Sequence, residues 1–217
     1  MAVFLNKDGK AVLLAMIEAV RQNRDYLSEL DGLTGDGDHG VNMNKGFSLF
    51  AEGMAGKDLS FTEGLDELGM LLFSKIGGSM GPIYGTIFTQ MAETGEGIES
   101  IGTSELAAML RAGLLALYDL VEARPGDKTL VDTLAAVCDS MDRNAEAEKD
   151  LLASLEELKT AAQAGLESTK ELEAKFGRSS RLGERSKGFY DAGAASCCII
   201  LNAMADAIIK LIGRDCD

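Results

Sequence analysis

An all-α fold is the expectation for this chain, and three features carry it. Apolar residues recur at three- and four-residue spacing along nearly the whole sequence, strand-like alternation is scarce, and glycine concentrates between the periodic stretches. Eight amphipathic helices and no convincing strand make an all-α domain. At 217 residues one domain spanning 1–217 is expected, large enough to bury a substantial core.

The first helix carries Leu13, Met16, Ile17, Val20, Leu27 and Leu30 on one side and Glu18, Arg21, Arg24 and Glu29 on the other. Similar patterns follow over 42–55, 61–76, 82–94, 103–123, 128–143, 145–176 and 191–212. Thr62 and Thr103 each precede a periodic stretch, as N-caps do. Pro82 and Pro125 stand just inside or before a helix start, where proline is tolerated. Segment 145–176 is rich in Ala, Glu, Leu and Lys, but its apolar positions do not sustain heptads, so a bundle helix with a solvated face is expected.

The formal charge of −14 argues against nucleic acid or an anionic membrane as partner. An acidic chain that handles a polyphosphate needs metal ions to reverse the local sign. Cys138, Cys197, Cys198 and Cys216 form no C-x-x-C pair, and a single histidine leaves no zinc set. Cys197-Cys198 reads as packing in an apolar run. A reduced, cytoplasmic protein is expected. The start of the chain carries no leader pattern, and no run approaches a membrane span.

The most informative segment is Asp31–Asn44. Its first ten residues hold Asp31, Asp36, Asp38, four glycines and His39, the sole histidine. Carboxylates so crowded repel unless a cation lies between them, and hard oxygen ligands on a flexible backbone suit Mg²⁺ with phosphate completing its shell. His39, beside two aspartates, is expected to favour its charged form and to contact a phosphate or support a ligand. The other glycine clusters, Gly77-Gly78-Ser79-Met80-Gly81, Gly126-Asp127-Lys128-Thr129 and Gly177 through Gly193, each precede a helical pattern. Free N–H groups at helix N-termini bind anions, so such loops gathered at one end of a bundle would hold a nucleotide. Lys128 and Thr129 equally suit a helix cap. The stretch 177–188 holds Arg178, Arg181, Arg185 and Lys187 with Glu184 alone against them, which suggests anion binding.

Competing motifs fail on context. Gly35-Asp-Gly37-Asp-His-Gly40 fits G-x-G-x-x-G but follows a polar helix end instead of a buried strand. Gly77-Gly-Ser79-Met-Gly81 fits the nucleophile elbow, yet the only histidine lies upstream and no sheet is expected. A calcium loop starting at Asp36 would put Gly40 and Phe47 where oxygen ligands are needed, and no G-K-[ST] occurs.

Together these loops resemble the nucleotide-binding L subunit (Dak2-type domain) of dihydroxyacetone kinases over nearly the whole chain. The resemblance rests on Gly35-Asp-Gly-Asp-His-Gly-Val-Asn-Met-Asn-Lys-Gly-Phe47, Gly77-Gly-Ser-Met-Gly-Pro-Ile-Tyr-Gly-Thr86, Pro125-Gly-Asp-Lys-Thr129, Gly177-Arg-Ser-Ser-Arg-Leu-Gly-Glu-Arg-Ser186 and Asp191-Ala-Gly-Ala-Ala-Ser196. It implies an antiparallel eight-helix barrel with the nucleotide at one end. By the same resemblance Asp31, Asp36 and Asp38 hold two Mg²⁺ ions. His39, Asn42, Gly78, Ser79 and Met80 contact ADP or ATP, Leu130 packs by the adenine, Arg178 lies on the phosphate side, and Asp191 and Gly193 close the site. Beyond these ligands no catalytic residue is assigned to this chain. Met80 replaces a small residue of the family turn, Ala192 replaces its last-loop proline, and Phe189-Tyr190 stands where polar residues are common. The related fatty-acid kinases carry threonine where His39 stands.

The implied activity is phosphoryl transfer, which rests on positioning and charge neutralisation. Dihydroxyacetone would be held on a separate K subunit, and a phosphohistidine carrier of M type would recharge a tightly bound ADP in a phosphoenolpyruvate-dependent system. Alternatives are an ATP-dependent kinase subunit for another triose or tetrose and a non-catalytic nucleotide-binding regulator. Neither nucleic acid nor membrane is an expected partner; a homodimer is compatible with the reading.

Overall fold

The computed structural model describes residues 2–214; Cys216 lies outside them. Among the described residues there are nine α-helices: α1 (Lys10–Gln22), α2 (Arg24–Thr34), α3 (His39–Gly53), α4 (Phe61–Lys75), α5 (Met80–Thr94), α6 (Thr103–Leu120), α7 (Leu130–Glu146), α8 (Leu151–Ser168) and α9 (Ala192–Arg214). Two short strands missing from the sequence reading, β1 (Phe4–Leu5) and β2 (Ser100–Ile101), pair antiparallel with Phe4 opposite Ile101.

The helices close a ring. In order α1, α3, α4, α5, α6, α7, α8 and α9, each packs on the next, and α9 returns to α1, while α2 lies against α3 and α9. The expected eight-helix count therefore describes the ring, but the first predicted helix is two. At Asn23 the side-chain amide donates to Ala19 O at 2.8 Å, satisfying an end carbonyl of α1 so that the chain turns before restarting. The expected helix over 145–176 also shortens. Glu148 takes φ 50° ahead of α8, and the Ser168 and Thr169 hydroxyls bond back to Gly165 O and Leu166 O, both at 2.7 Å, where hydroxyls compete with helix continuation.

Caps sit upstream of the threonines expected to supply them. Ser60 caps α4 reciprocally with Glu63 (Glu63 N to Ser60 Oγ 3.3 Å, Ser60 N to Glu63 Oε2 2.9 Å), and Gly102 precedes α6. Thr103 instead donates to Lys149 O at 2.8 Å.

The ring interior is one apolar cluster that includes Met16, Phe47, Leu65, Phe88, Leu110, Leu134 and Met204. Phe47 and Phe88 meet edge-to-face at 6.3 Å. A void of about 20 Å³ lies among these side chains; it exceeds the roughly 10–15 Å³ that one water needs, but apolar residues such as Met16, Leu65 and Phe88 line it, and apolar cavities stay dry. Cys138, Cys197 and Cys198 are buried free thiols, as packing predicts. The reading that no run approaches a membrane span needs correction: Ala192–Gly213 is long and apolar enough by length and composition. Its Ala195, Met204, Ala205 and Ile208 are buried in the core cluster, so this is an apolar helix of the ring that faces the core.

Candidate functional site

Four connections, 35–38, 76–79, 121–129 and 169–191, line one cleft of about 680 Å³, a volume typical of small-molecule sites (roughly 300–1,000 Å³). They are every second connection around the ring, so consecutive helices alternate in direction and return these loops to the same end. Each of the twelve residues singled out as metal or nucleotide ligands lines this cleft. A groove of comparable size, about 640 Å³, lies between α4 and α5, but none of the glycine-rich turns reaches it.

Asp31 sits on the last turn of α2, and Asp36 and Asp38 in the connection to α3. One carboxylate oxygen from each lies within 4.8 Å of the others. Asp38 occupies the N-cap position of α3 yet makes no capping bond with its side chain, so its carboxylate is not consumed by the helix. This all-oxygen donor set fits Mg²⁺. The Arg178 guanidinium contacts Asp36 and lies 3.7 Å from Asp38. Of the four cations in 177–188 only Arg178 lines the cleft. Arg181, Arg185 and Lys187 are exposed, and Lys187 lies 3.9 Å from Glu184, which corrects the broader anion-binding reading of that stretch.

The loop reaches this position because α2 and α3 pack in backbone contact. A Cβ on Gly40 would lie 1.9 Å from Arg24 O and 2.8 Å from Ser28 N, so only glycine fits. Across the cleft, Gly78 takes φ 72°, a left-handed turn that favours glycine. Ser79 follows at the N-cap of α5 without a side-chain cap bond. Its hydroxyl and the free N–H groups of α5 are thus available to an anion.

His39 is 8% exposed. Burial lowers its pKa to about 4, against the raising effect of Asp31, so the imidazole is neutral at pH 7; desolvation outweighs the neighbouring carboxylates that led to the opposite expectation. Its Nε2 lies 2.8 Å from Ser196 Oγ on α9.

Thr129 caps α7, accepting from Val131 N at 3.2 Å, and Asp132 accepts from Thr129 N at 2.7 Å and from Gly126 N at 2.6 Å. This turn buries Lys128, whose Nζ donates to Thr169 O at 2.5 Å and Phe189 O at 2.6 Å. Burial lowers the Lys128 pKa, opposed by Asp191, Asp132 and Glu171. Asp191 caps α9 through Ala194 N at 2.8 Å. Burial raises its pKa to about 6, the Ala194 N–H opposing and Asp132 reinforcing the shift.

Beyond Lys128, the lining includes Ile83, Tyr84, Val121, Ala123, Val131 and Phe176, which the sequence did not single out. They join Met80 and Leu130 in giving the cleft an apolar wall. Only the apolar residue at each loop edge hinted at this wall.

Residues 33–206 match the DAK2 domain. The chain belongs to the Dak2 family. This Dak2 protein is 38% identical over 184 residues to the ADP-binding subunit DhaL of the PEP-dependent dihydroxyacetone kinase of Escherichia coli (strain K12), covering 83% of this chain and 87% of the relative. It is 39% identical over 192 residues to the ADP-binding subunit DhaL of the PTS-dependent dihydroxyacetone kinase of Lactococcus lactis, covering 88% and 92%. It also matches the D-erythrulose kinase of Mycolicibacterium smegmatis at 31% identity, over 89% of this chain and 34% of that protein. Among solved structures, the dihydroxyacetone kinase from C. freundii in complex with AMP-PNP and Mg²⁺ superposes on 95% of this Dak2 chain with a TM-score of 0.70 at 21% identity. The chain spans about a third of that protein's length (35%), and the likeness is one of fold.

Proposed function

We propose that this Dak2 protein holds ADP or ATP as a magnesium complex and is the phosphotransfer subunit of a dihydroxyacetone kinase. Asp31, Asp36 and Asp38 would hold two Mg²⁺ ions against the phosphates. The Gly78-Ser79-Met80 turn, Asn42 and Arg178 would take the phosphate side, and His39 would also contact the nucleotide. Leu130 would face the base, with Asp191 and Gly193 closing the cleft. The observation that carries this reading is the convergence of three carboxylates and a glycine turn at a helix start on one cleft with an apolar wall. When bound, the metal would neutralise charge during transfer; this chain's residues orient the nucleotide and exclude water.

Dihydroxyacetone would sit on a separate K subunit, and a phosphohistidine carrier of M type would recharge the ADP in a cytoplasmic, phosphoenolpyruvate-dependent system. The names of the 38–39% identical relatives support that version. The second reading, an ATP-dependent kinase for another triose or tetrose, is favoured by the 31% match to the erythrulose kinase. Mixing the chain with a K subunit, dihydroxyacetone and either phosphohistidine carrier or ATP separates them. No product with either donor leaves a nucleotide-binding regulator. Calorimetry of ADP binding tests the core of the proposal: Asp36→Asn or Asp38→Asn abolishes magnesium-dependent affinity while helix content survives. Equal ADP affinity with and without EDTA overturns it.

A further inference from the structure

Beneath the cleft, Ser196 is wholly buried and its hydroxyl meets three partners. His39 Nε2 is at 2.8 Å, Tyr84 OH at 2.7 Å and Gly193 O at 3.0 Å. A serine hydroxyl has one proton to give and two lone pairs to accept with. Gly193 O can only accept, so the Ser196 proton belongs there. The Tyr84 contact then requires the phenol to donate, and the His39 contact requires a proton on Nε2. This is the one arrangement that places a proton in each of the three Ser196 contacts; Tyr84 OH also lies 3.4 Å from Gly193 O, and its single proton goes to the shorter contact with Ser196 at 2.7 Å. If Ser196 donated to His39 instead, two oxygens 3.0 Å apart would face each other with no proton between them.

We propose that Ser196, anchored by Tyr84, is the positioning residue that fixes His39 as its Nε2–H tautomer, leaving the Nδ1 lone pair for a hydrogen-bond donor in the cleft. Among the described residues none bonds to Nδ1, and the His39 backbone N–H is directed to Asp31 at 3.4 Å. Nδ1 in this tautomer cannot bond a phosphate oxygen, which also only accepts. Its partner is an O–H or N–H: a hydroxyl or amine of the nucleotide, or water on its metal. The inference rests on the nucleotide reading above.

The chain has a single histidine, so ¹⁵N-histidine labelling gives one imidazole spectrum. In mildly alkaline buffer without ligand, Nε2 should be the protonated, pyrrole-type nitrogen and Nδ1 the pyridine-type one. Ser196→Ala should mix the two tautomers and raise the ADP Kd about five- to tenfold, the loss of roughly one hydrogen bond, with the far-ultraviolet spectrum retained. Tyr84→Phe, which leaves the serine hydroxyl without its phenol donor, should mix them to a smaller degree and decides the matter if Ser196→Ala does not fold. Where calorimetry finds ADP bound in EDTA, its saturation moves the Nδ1 resonance if the donor is on the nucleotide, and movement only on adding Mg²⁺ to that complex assigns the donor to water on the metal; where ADP binds only with Mg²⁺, movement in that complex supports a donor from either source. A pyridine-type Nε2 in the free protein, unmixed tautomers in both variants, or an Nδ1 unmoved by either saturated complex overturns the proposal. ADP that calorimetry finds unbound in both conditions overturns the nucleotide reading, while the ligand-free spectrum still decides the role of Ser196.

Discussion

Replacing Lys128 with methionine should loosen one whole side of the cleft. Lys128 lies on the α6–α7 connection at φ 61° and is 1% exposed. Its ammonium spans to Thr169 O and Phe189 O, near the two ends of the α8–α9 connection. Only one backbone bond, Lys175 N to Asp127 O at 3.1 Å, otherwise joins the two connections. Two bonds from a charged donor are worth about 1.5–3 kcal/mol each. Against that, methionine avoids the several kcal/mol that desolvating an ammonium costs. The net loss should be about 1–3 kcal/mol.

Urea denaturation reads the global part of this loss, and hydrogen exchange reads the local part. The amides of Gly188 (to Lys170 O, 2.7 Å), Asp191 (to Thr169 Oγ1, 3.1 Å) and Lys175 should lose protection, while those within α4 and α5 keep theirs. Magnesium–ADP affinity should fall as well, because Arg178 rides on the same connection. The backbone supplies a control. Lys128→Gly relieves a left-handed residue that costs about 1–2 kcal/mol, so it should be more stable than Lys128→Ala by about that amount. A Lys128→Met protein with stability within about 0.5 kcal/mol of the parent and unchanged exchange would refute the clamp.

Two further outcomes follow from the packing and the charges. Gly40→Ala must drive α2 and α3 apart, since the new methyl meets backbone at 1.9 Å; it should cost about 1–3 kcal/mol or more and weaken magnesium–ADP binding by moving the Asp36–Asp38 loop, and calorimetric values matching the parent would sink that account. For Asp191, the native pKa of about 6 exceeds the ordinary 3.8, so the native state holds the proton more tightly than the unfolded chain. Its contribution is complete below the ordinary value and disappears as pH rises through about 6. Between about pH 4 and pH 7 the parent should therefore lose roughly 1–3 kcal/mol relative to Asp191→Asn, the smaller figure applying to the part of the carboxyl that water reaches. Parallel stability profiles for the two proteins would count against a buried, protonated carboxyl.

The helices were legible because burying one face of a helix imposes a period that survives in the sequence. The break at Asn23 was not, because its side chain satisfies an end carbonyl of α1 while the apolar period runs on intact on both sides. Thr62 and Thr103 misled for a related reason: a hydroxyl near a helix start has the composition of a cap, and only the backbone decides whether Ser60 or Thr62 supplies it. At the site, three carboxylates in one loop announced themselves through a repulsion that nothing nearby in sequence relieves. Arg178, which relieves part of it, stood among three similar cations that face solvent. Ser196 lies 157 residues from His39, and no local pattern links them. Burial, too, is a tertiary property, which is why the charge state expected of His39 from its neighbours was inverted and why Lys128, read with Thr129 as suiting a helix cap, gave no sign of its buried bonds to two carbonyls.

The cleft's charges explain why so acidic a chain suits a phosphate ligand. Asp31, Asp36, Asp38 and Asp191 line it against Arg178 and Lys128, and the histidine between them is neutral. Lys128 is already committed to two carbonyls, which leaves Arg178 facing Asp36 and Asp38. Protein cations alone therefore leave the cleft negative, and a diphosphate would enter against repulsion. A divalent ion reverses the balance because it serves the carboxylates and the phosphate at once, and it does so where water is partly excluded and the attraction is least screened. Exchanging the aspartates for lysines would attract phosphate without giving a metal any ligand. On the proposed function, the acidity of the loop would thus select for the metal complex over the free nucleotide, since the free polyanion would be repelled by the same groups proposed to bind its magnesium form.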